Sequence, residues 1–303
     1  MTSRRIAIAA AALLHLFGFS LDAQITLQTL GRPTPQTRQQ LTKTLQEDRE
    51  RKDLDGEAIT LLQLGITEAG LGNVDAARSN LIDAVKKMRV QNDPVGAWMA
   101  LLFLSQIEIA LGRPAEAIPH VEKAFAVINE AMVSTTSLNL ETVKAFGLAS
   151  GLPPQMFQMA GESAGVMKPL ILQNLLQPTH DLYGSVLTLV GQFEKAEAEL
   201  KAASAGSSYT RGMYDFSIEG HFGDLRLRQQ RYDEARAHYM KALNASAKTS
   251  ALLPMGDQQI KAGIYDRLAQ VETITGHPEE AKRWSEKARE LGKNPQGTPP
   301  IIR

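Results

Sequence analysis

Five segments of this chain align without gaps on three positions: a small residue, an alanine twelve residues later, and an alanine seven residues after that. The triplets are Gly65/Ala77/Ala84, Ser105/Ala117/Ala124, Gly184/Ala196/Ala203, Gly223/Ala235/Ala242 and Ala269/Ala281/Ala288. All ten later positions are alanine, a register that a merely alanine-rich helix would not keep five times. Just before the first alanine the helical pattern breaks, at Gly72-Asn73, Gly112-Arg113-Pro114, Gly191-Gln192, Gln230-Arg231 and Gly276-His277-Pro278. Glycine accepts the left-handed conformation that ends a helix. Pro114 and Pro278 suit the first turn of the next helix, where no backbone donor is needed. Each unit therefore reads as helix A, tight turn, helix B.

Two antiparallel helices reach the short end of the usual spacing of about 8–10 Å only where the crossing side chains are small. Leu64, Leu104, Tyr183, Phe222 and Leu268, one position before each small residue, are placed to fill the space beside that crossing. A single hairpin cannot bury its own apolar stripe, so successive hairpins are expected to stack. Composition agrees: only 6% of residues are aromatic, and the abundance of Ala, Leu, Gln and Glu favours helix. Lys and Arg number 33 against 33 Asp and Glu, so no net field draws a polyanion and nucleic-acid binding is not expected.

At these residues the sequence resembles the tetratricopeptide repeat, whose signature sets Gly/Ala/Ser, Ala and Ala at the same three offsets. The resemblance spans about residues 56–292. Neighbouring units lie 39 to 46 residues apart, longer than the commonest form of about 34. Around Asp93-Pro94 and Gly56-Glu57-Ala58 the text looks like the longer bacterial repeats related to kinesin light chain. The resemblance implies an all-α fold, a right-handed α-solenoid of stacked antiparallel helix hairpins. It also implies a non-catalytic scaffold that binds a protein or peptide and needs no cofactor. In bacteria such arrays often precede a caspase-like protease. With no cysteine in the sequence, that nucleophile is missing, and so are disulfides and thiolate metal ligands. A sensory repeat module separated from an effector domain is a further alternative.

The small residues Ser105 and Gly184 are 79 positions apart, twice the local period, so a degenerate repeat is expected around residues 133–176. Leu138–Ser150 would be its first helix and Met167–Leu176 would lie near its end. Residues 24–55 read as a linker through Gly31-Arg32-Pro33-Thr34-Pro35 and then a polar helix over about 36–52. Residues 293–303 carry three prolines and read as a disordered tail. At the other end, Arg4 and Arg5 precede the uncharged, largely apolar run Ile6–Leu21, and Ala23 follows. That is the layout of a secretory signal peptide over residues 1–23, cleaved after Ala23, which would deliver a periplasmic or secreted protein. The alternative is an uncleaved anchor, the chain's one membrane contact, although the apolar run is short for a span of about 20 residues.

Gly161-Glu162-Ser163-Ala164-Gly165 fits the nucleophile-elbow spelling and makes a serine hydrolase using Ser163 the rival from another class. That elbow needs a strand feeding a sharp turn above a parallel sheet. No β-branched run precedes Ser163 and no strand-helix alternation surrounds it, so a small-residue turn is the reading the context favours. The histidines show neither the i, i+4 pairing nor the carboxylate spacing of a metal site, and no metal is expected. His180 and His221 read as partly buried structural residues, His238 and His277 as exposed.

In the family that the sequence resembles, the inner face of helix A lines a partner groove. Carried onto this chain, that face includes Ile59, Leu62 and Ile66, then Met99, Leu102 and Gln106, then Asp181, Asp224, Asp266 and Gln270. The Lys and Asn with which some members hold a terminal carboxylate are absent from these positions. The apolar first half would take an amphipathic helix or apolar segment, so Glu at Leu62 and Leu102 should abolish binding and leave the helices intact. The rival expectation is that the polar helix at 36–52 folds back over Ile59–Ala69 as a cap.

Overall fold

In a computed structural model, residues 34–135, 137–139, 142, 164–206, 215–249 and 257–292 are the ones described. The expected signal peptide, the tail at 293–303, Ser163 and the helix expected over Leu138–Ser150 lie outside them in whole or large part. Among the described residues the fold is all-α, with eleven helices and no strand. In chain order they are α1 (Pro35–Arg51), α2 (Leu54–Gly70), α3 (Val74–Val90), α4 (Pro94–Ala110) and α5 (Pro114–Val133). Then come α6 (Ala164–Leu189), α7 (Phe193–Ser204), α8 (Asp215–Arg228), α9 (Tyr232–Thr249), α10 (Asp257–Ile274) and α11 (Pro278–Gly292). Helices adjacent in the sequence pack against each other, as stacked helical hairpins do.

One turn recurs at seven helix corners among the described residues. Lys52, Gly72, Asn92 and Gly112 all have positive φ and recur every twenty residues. The residue after each sends its N–H back five positions: Asp53 to the Asp48 carbonyl, Asn73 to Glu68, Asp93 to Met88 and Arg113 to Glu108. Gly191, Gln230 and Gly276 repeat the pattern, with Gln192, Arg231 and His277 donating to the carbonyls of Leu187, Arg226 and Glu272. This Schellman closure satisfies the orphan carbonyls of one helix while its last residue caps the next. The same turn therefore makes the A-to-B corners and, at Lys52 and Asn92, B-to-A corners as well. A search for glycine finds only the first kind, because Lys52 and Asn92 carry the second.

The twenty-residue beat also assigns α1. It is a B-type helix standing before the first full hairpin, with Asp48 in the register of Met88. It packs on α2 through buried Leu45 and Asp48, and Thr60 Oγ1 donates 2.8 Å to Asp48 Oδ2. Asp53 and Asp93 cap α2 and α4 by accepting from the N–H groups of Gly56 and Gly96.

The crossings are as tight as the small residues suggest. A methyl group on Gly65 would come within 2.6 Å of Leu81 Cγ, and one on Gly184 within 2.6 Å of Leu200 Cγ. Ala77, Ala84, Ala117, Ala124, Ala196, Ala203, Ala235, Ala242, Ala281 and Ala288 are all buried.

The described chain divides into two compact units, the first ending at Thr179 and the second beginning at His180, within α6. In the first, Leu64, Leu81, Trp98, Leu104, Val121 and Ile128 are buried, and Trp98 Nε1 donates 2.8 Å to Thr179 Oγ1. In the second, one cluster joins Leu187, Leu200, Ile218 and Phe222, and another joins Tyr239, Ile264, Leu268 and Val271. The degenerate repeat expected around residues 133–176 lies in large part outside the described residues. Residues 164–176 belong to α6, which continues through Pro169 and Pro178 into the third helix A. Among the described residues, no helix is long and apolar enough to cross a membrane.

Candidate interaction site

The expected groove residues are not equally accessible. Leu62, Ile66, Met99, Leu102 and Asp181 are buried; Ile59, Gln106, Asp224 and Asp266 are half-buried; Gln270 is exposed. Leu62 and Leu102 are 5% and 6% exposed. A carboxylate at either would be forced into the core, so the expectation that Glu there leaves the helices intact does not hold.

In the second unit the acidic positions are occupied from within. Asp181 Oδ2 accepts 2.6 Å from Ser217 Oγ, and its Oδ1 accepts 2.7 Å from His221 Nδ1, both on the next helix A. One step further, Asp224 accepts from Arg267 Nε at 2.6 Å and Nη2 at 3.1 Å, and from the Tyr239 hydroxyl at 2.7 Å. Two carboxylates thus tie α6 to α8 and α8 to α10 on the helix A side. Burial alone would push the His221 pKa down. The charge and hydrogen bond of Asp181, with the charge of Asp224, outweigh burial, and the net shift is upward despite Arg267. Burial likewise pushes Asp224 up, but the Arg267 guanidinium wins and holds it below the usual carboxylate range. Tyr239 is pushed well up, by burial first and then by Asp224. Asp266, half-buried beside Arg267, is raised by burial.

Ser217, His221 and Asp181 invite comparison with a hydrolytic triad. The order of bonds is wrong for one. A triad runs serine to histidine to carboxylate, whereas here the hydroxyl and the imidazole share one carboxylate. All three residues are buried, so the group is a structural tie.

Two further positions repeat through the array and were not visible in the alanine register. The first lies inside a hairpin, four residues before the small residue on helix A and three after the first alanine on helix B. It holds His180 Nδ1 with Glu199 at 2.6 Å, then Glu219 with His238 Nδ1 at 2.7 Å, then Tyr265 stacked on Trp284 at 5.5 Å. His238, expected to be exposed, is half-buried because Glu219 and the ring of Phe222 cover it. The second position joins one hairpin to the next, from one residue after the first alanine to three after the following small residue. It holds Arg78 with Glu108 at 2.7 Å, Glu197 with Arg226 at 2.8 Å, and Arg236 with Glu272 at 2.6 Å. Hydrogen bonds from Arg226 and Lys201 hold Glu197 down at about 2, against the pull of burial. The signal for both positions is in the text, but only once the tight-turn register fixes which residues face each other.

In the first unit, neighbouring helices are joined mainly through apolar side chains, with the Thr60–Asp48 and Arg78–Glu108 ties and partly exposed ion pairs such as Glu57 with Arg49 and Lys87 beside them. A small cavity of about 130 Å³ lies there between α3, α4 and α5, lined by Arg89, Asp93, Glu130, Ser134 and Lys168 among others. Arg89 pairs with Glu130, and Lys168 donates to the Ser134 carbonyl. Asp93, raised by burial against the pull of Thr142 and Gly96, is capped by Thr142 Oγ1. The polar groups of Arg89, Asp93, Glu130, Ser134 and Lys168 in the cavity wall are thus already engaged. No group of three or more His, Cys, Asp or Glu is placed to hold a metal ion among the described residues.

Residues 220–249, from the end of α8 through α9, match the tetratricopeptide repeat family. Among solved structures, the crystal structure of BtubC (BKLC) from P. vanneervenii is similar, with a TM-score of 0.55 and 14% sequence identity. The similarity covers 88% of this chain and 93% of that one. At that identity the likeness concerns the fold. No curated protein matches the sequence. The chain is a protein of the tetratricopeptide-repeat type, all-α and built from helical hairpins. Such repeats point to a protein-interaction scaffold.

Proposed function

We propose that this protein is a non-catalytic scaffold that holds a protein or peptide partner along the exposed side of its A helices, in the periplasm or outside the cell. The observation that carries the reading is the division of labour on those helices. Asp181 and Asp224 are consumed by ties to the next A helix, while Ile59 and Gln106 in the first unit and Gln270 in the second, at the inner positions of their own A helices, keep part of their surface exposed. A pre-organised face loses little conformational entropy when a peptide lands on it. The apolar positions behind it, Leu62, Ile66, Met99 and Leu102, shape that face from within rather than touching the partner first.

Photocrosslinking residues placed at Gln106 and Gln270 should trap a partner in the host, while the same groups at the exposed B-helix positions Glu122 and Lys241 should trap none. Equal capture from both faces would sink the groove. Location is tested separately: the mature protein isolated from the host should begin at Gln24 and be recovered outside the cytoplasm. An intact Met1 in a cytoplasmic fraction would refute that part and leave the scaffold standing.

A further inference from the structure

Stacked repeats share one shape, so any B helix could in principle pack on the wrong neighbour, in its own chain or in a second copy. In the second unit two kinds of contact could prevent this, and both reverse polarity from one repeat to the next. Inside the hairpins, helix A gives the histidine and helix B the carboxylate in α6/α7 (His180, Glu199), and the roles are exchanged in α8/α9 (Glu219, His238). Between the hairpins, α7 gives the carboxylate and α8 the guanidinium (Glu197, Arg226), and the roles are exchanged in α9/α10 (Arg236, Glu272).

We infer that this reversal is an address system that fixes which helix packs on which, and so keeps copies of the chain from exchanging hairpins. Within the second unit each wrong pairing meets a like partner; Arg78 with Glu108 in the first unit has the polarity of Arg236 with Glu272, so the address acts only among the second unit's own hairpins. Laying α7 on α10 sets Glu197 against Glu272, and laying α9 on α8 sets Arg236 against Arg226. Pairing α6 with α9 sets His180 against His238, and α8 with α7 sets Glu219 against Glu199. Discrimination comes from the repulsive member as much as from the attractive one. The burial of the joint amplifies it, for Arg226 is 7% exposed and Glu272 6%. The last hairpin carries a third kind of address, the Tyr265–Trp284 stack, which neither charged pairing can imitate. None of this depends on the protein having the partner proposed above.

The test exchanges polarity at one joint. E197R and R226E should each lower the urea midpoint of the second unit, and E197R/R226E should recover most of the loss. Arg226 also donates to Gln229 and lies 3.5 Å from Glu234, so recovery will be incomplete. The exchanged joint then has the same polarity as α9/α10, and the wrong pairings become matched. Refolded from urea at high protein concentration, E197R/R226E should give a severalfold larger dimer fraction by light scattering than wild type. Reversing the next joint as well, with R236E/E272R, restores the alternation and should return the protein to monomer. H180E/E199H repeats the experiment at the half-buried hairpin pair, should the buried joint not tolerate exchange. If the exchanged proteins refold as monomers to the wild-type extent, the address system is refuted. It is equally refuted if E197R/R226E and H180E/E199H both fail to fold, since polarity would then not be interchangeable.

Discussion

Residues 34–179 and residues 180–292 face the same task, setting each A helix beside the next, and they use different chemistry. In the first unit the facing positions are Leu62, Ile66, Met99 and Leu102, which bury apolar surface without demanding a particular neighbour. In the second unit the equivalent side carries Asp181, His221, Asp224 and Arg267, bonded in a fixed order. Apolar contacts contribute through area removed from water and tolerate small shifts. Buried charges contribute little net stability but are costly to leave unpaired. The second unit should therefore be the more sensitive to single substitutions. Each unit holds one of the chain's two tryptophans, Trp98 in the first and Trp284 in the second, so Trp→Phe partners of every variant report on one unit at a time.

The largest effect is expected from Asp224→Asn. It removes the charge that satisfies Arg267 and one acceptor of the Tyr239 hydroxyl. Breaking a buried pair on one side costs about 3–5 kcal/mol, and with side chains 16% and 24% exposed this pair should lie at or below the low end of that range, so the urea midpoint read at Trp284 should fall clearly while that read at Trp98 stays. A midpoint at Trp98 that falls by as much would erase the distinction between the units.

Next come Gly65→Ala and Gly184→Ala, which test what the two units share. Each methyl group would press on a leucine of the facing helix, Leu81 or Leu200, with the backbone carbonyl of Ala77 or Ala196 close behind. Overpacking of this kind costs about 1–3 kcal/mol. The two losses should be alike, each in its own unit, as thermal unfolding of the paired tryptophan variants would show. A harmless Gly65→Ala would mean that the crossing can relax.

These glycines also mark how far the sequence could be read. The alanine register and its small partner residues are legible because a close helix crossing excludes every larger side chain, whatever lies around it. The polar ties are not legible in the same way. Asp181 and Asp224 look like groove residues in the text, since nothing local says that His221 and Arg267 will reach them from thirty or more residues away. The B-to-A turns were hidden for a different reason. Lys52 and Asn92 adopt the left-handed conformation at a cost of about 1 kcal/mol, and tertiary packing of the helices on either side overrides that preference.

A smaller effect separates the units by sign. His221 has its pKa raised in the folded state, so its contribution is complete below about pH 6.5, the unfolded value, and is lost as pH rises through the folded value. His120, in the first unit, has its pKa lowered, by burial first, against the pull of Glu108. Its contribution is present above the unfolded value and is lost as pH falls. Between pH 5.5 and pH 8 the urea midpoint at Trp284 should therefore drift down and that at Trp98 drift up. His221→Gln should flatten the first drift and leave the second. Parallel drifts at the two probes would contradict the assignment.

The smallest effect concerns salt. Lys43 and Glu47 on α1 form an i, i+4 pair at 3.5 Å, with side chains 80% and 47% exposed. Such a pair contributes about 0.3 kcal/mol, so Glu47→Ala should move the Trp98 midpoint barely, and not at all at about 1 M salt, where the screening length is about 3 Å. Arg267 and Asp224 are held 2.6 Å apart with side chains only 16% and 24% exposed, so the penalty of Asp224→Asn should be screened far less in the same salt. If added salt shrank both penalties alike, the second unit's ties would be behaving as surface pairs. Its sensitivity to substitution would then have to come from packing around Tyr239 instead of from charge.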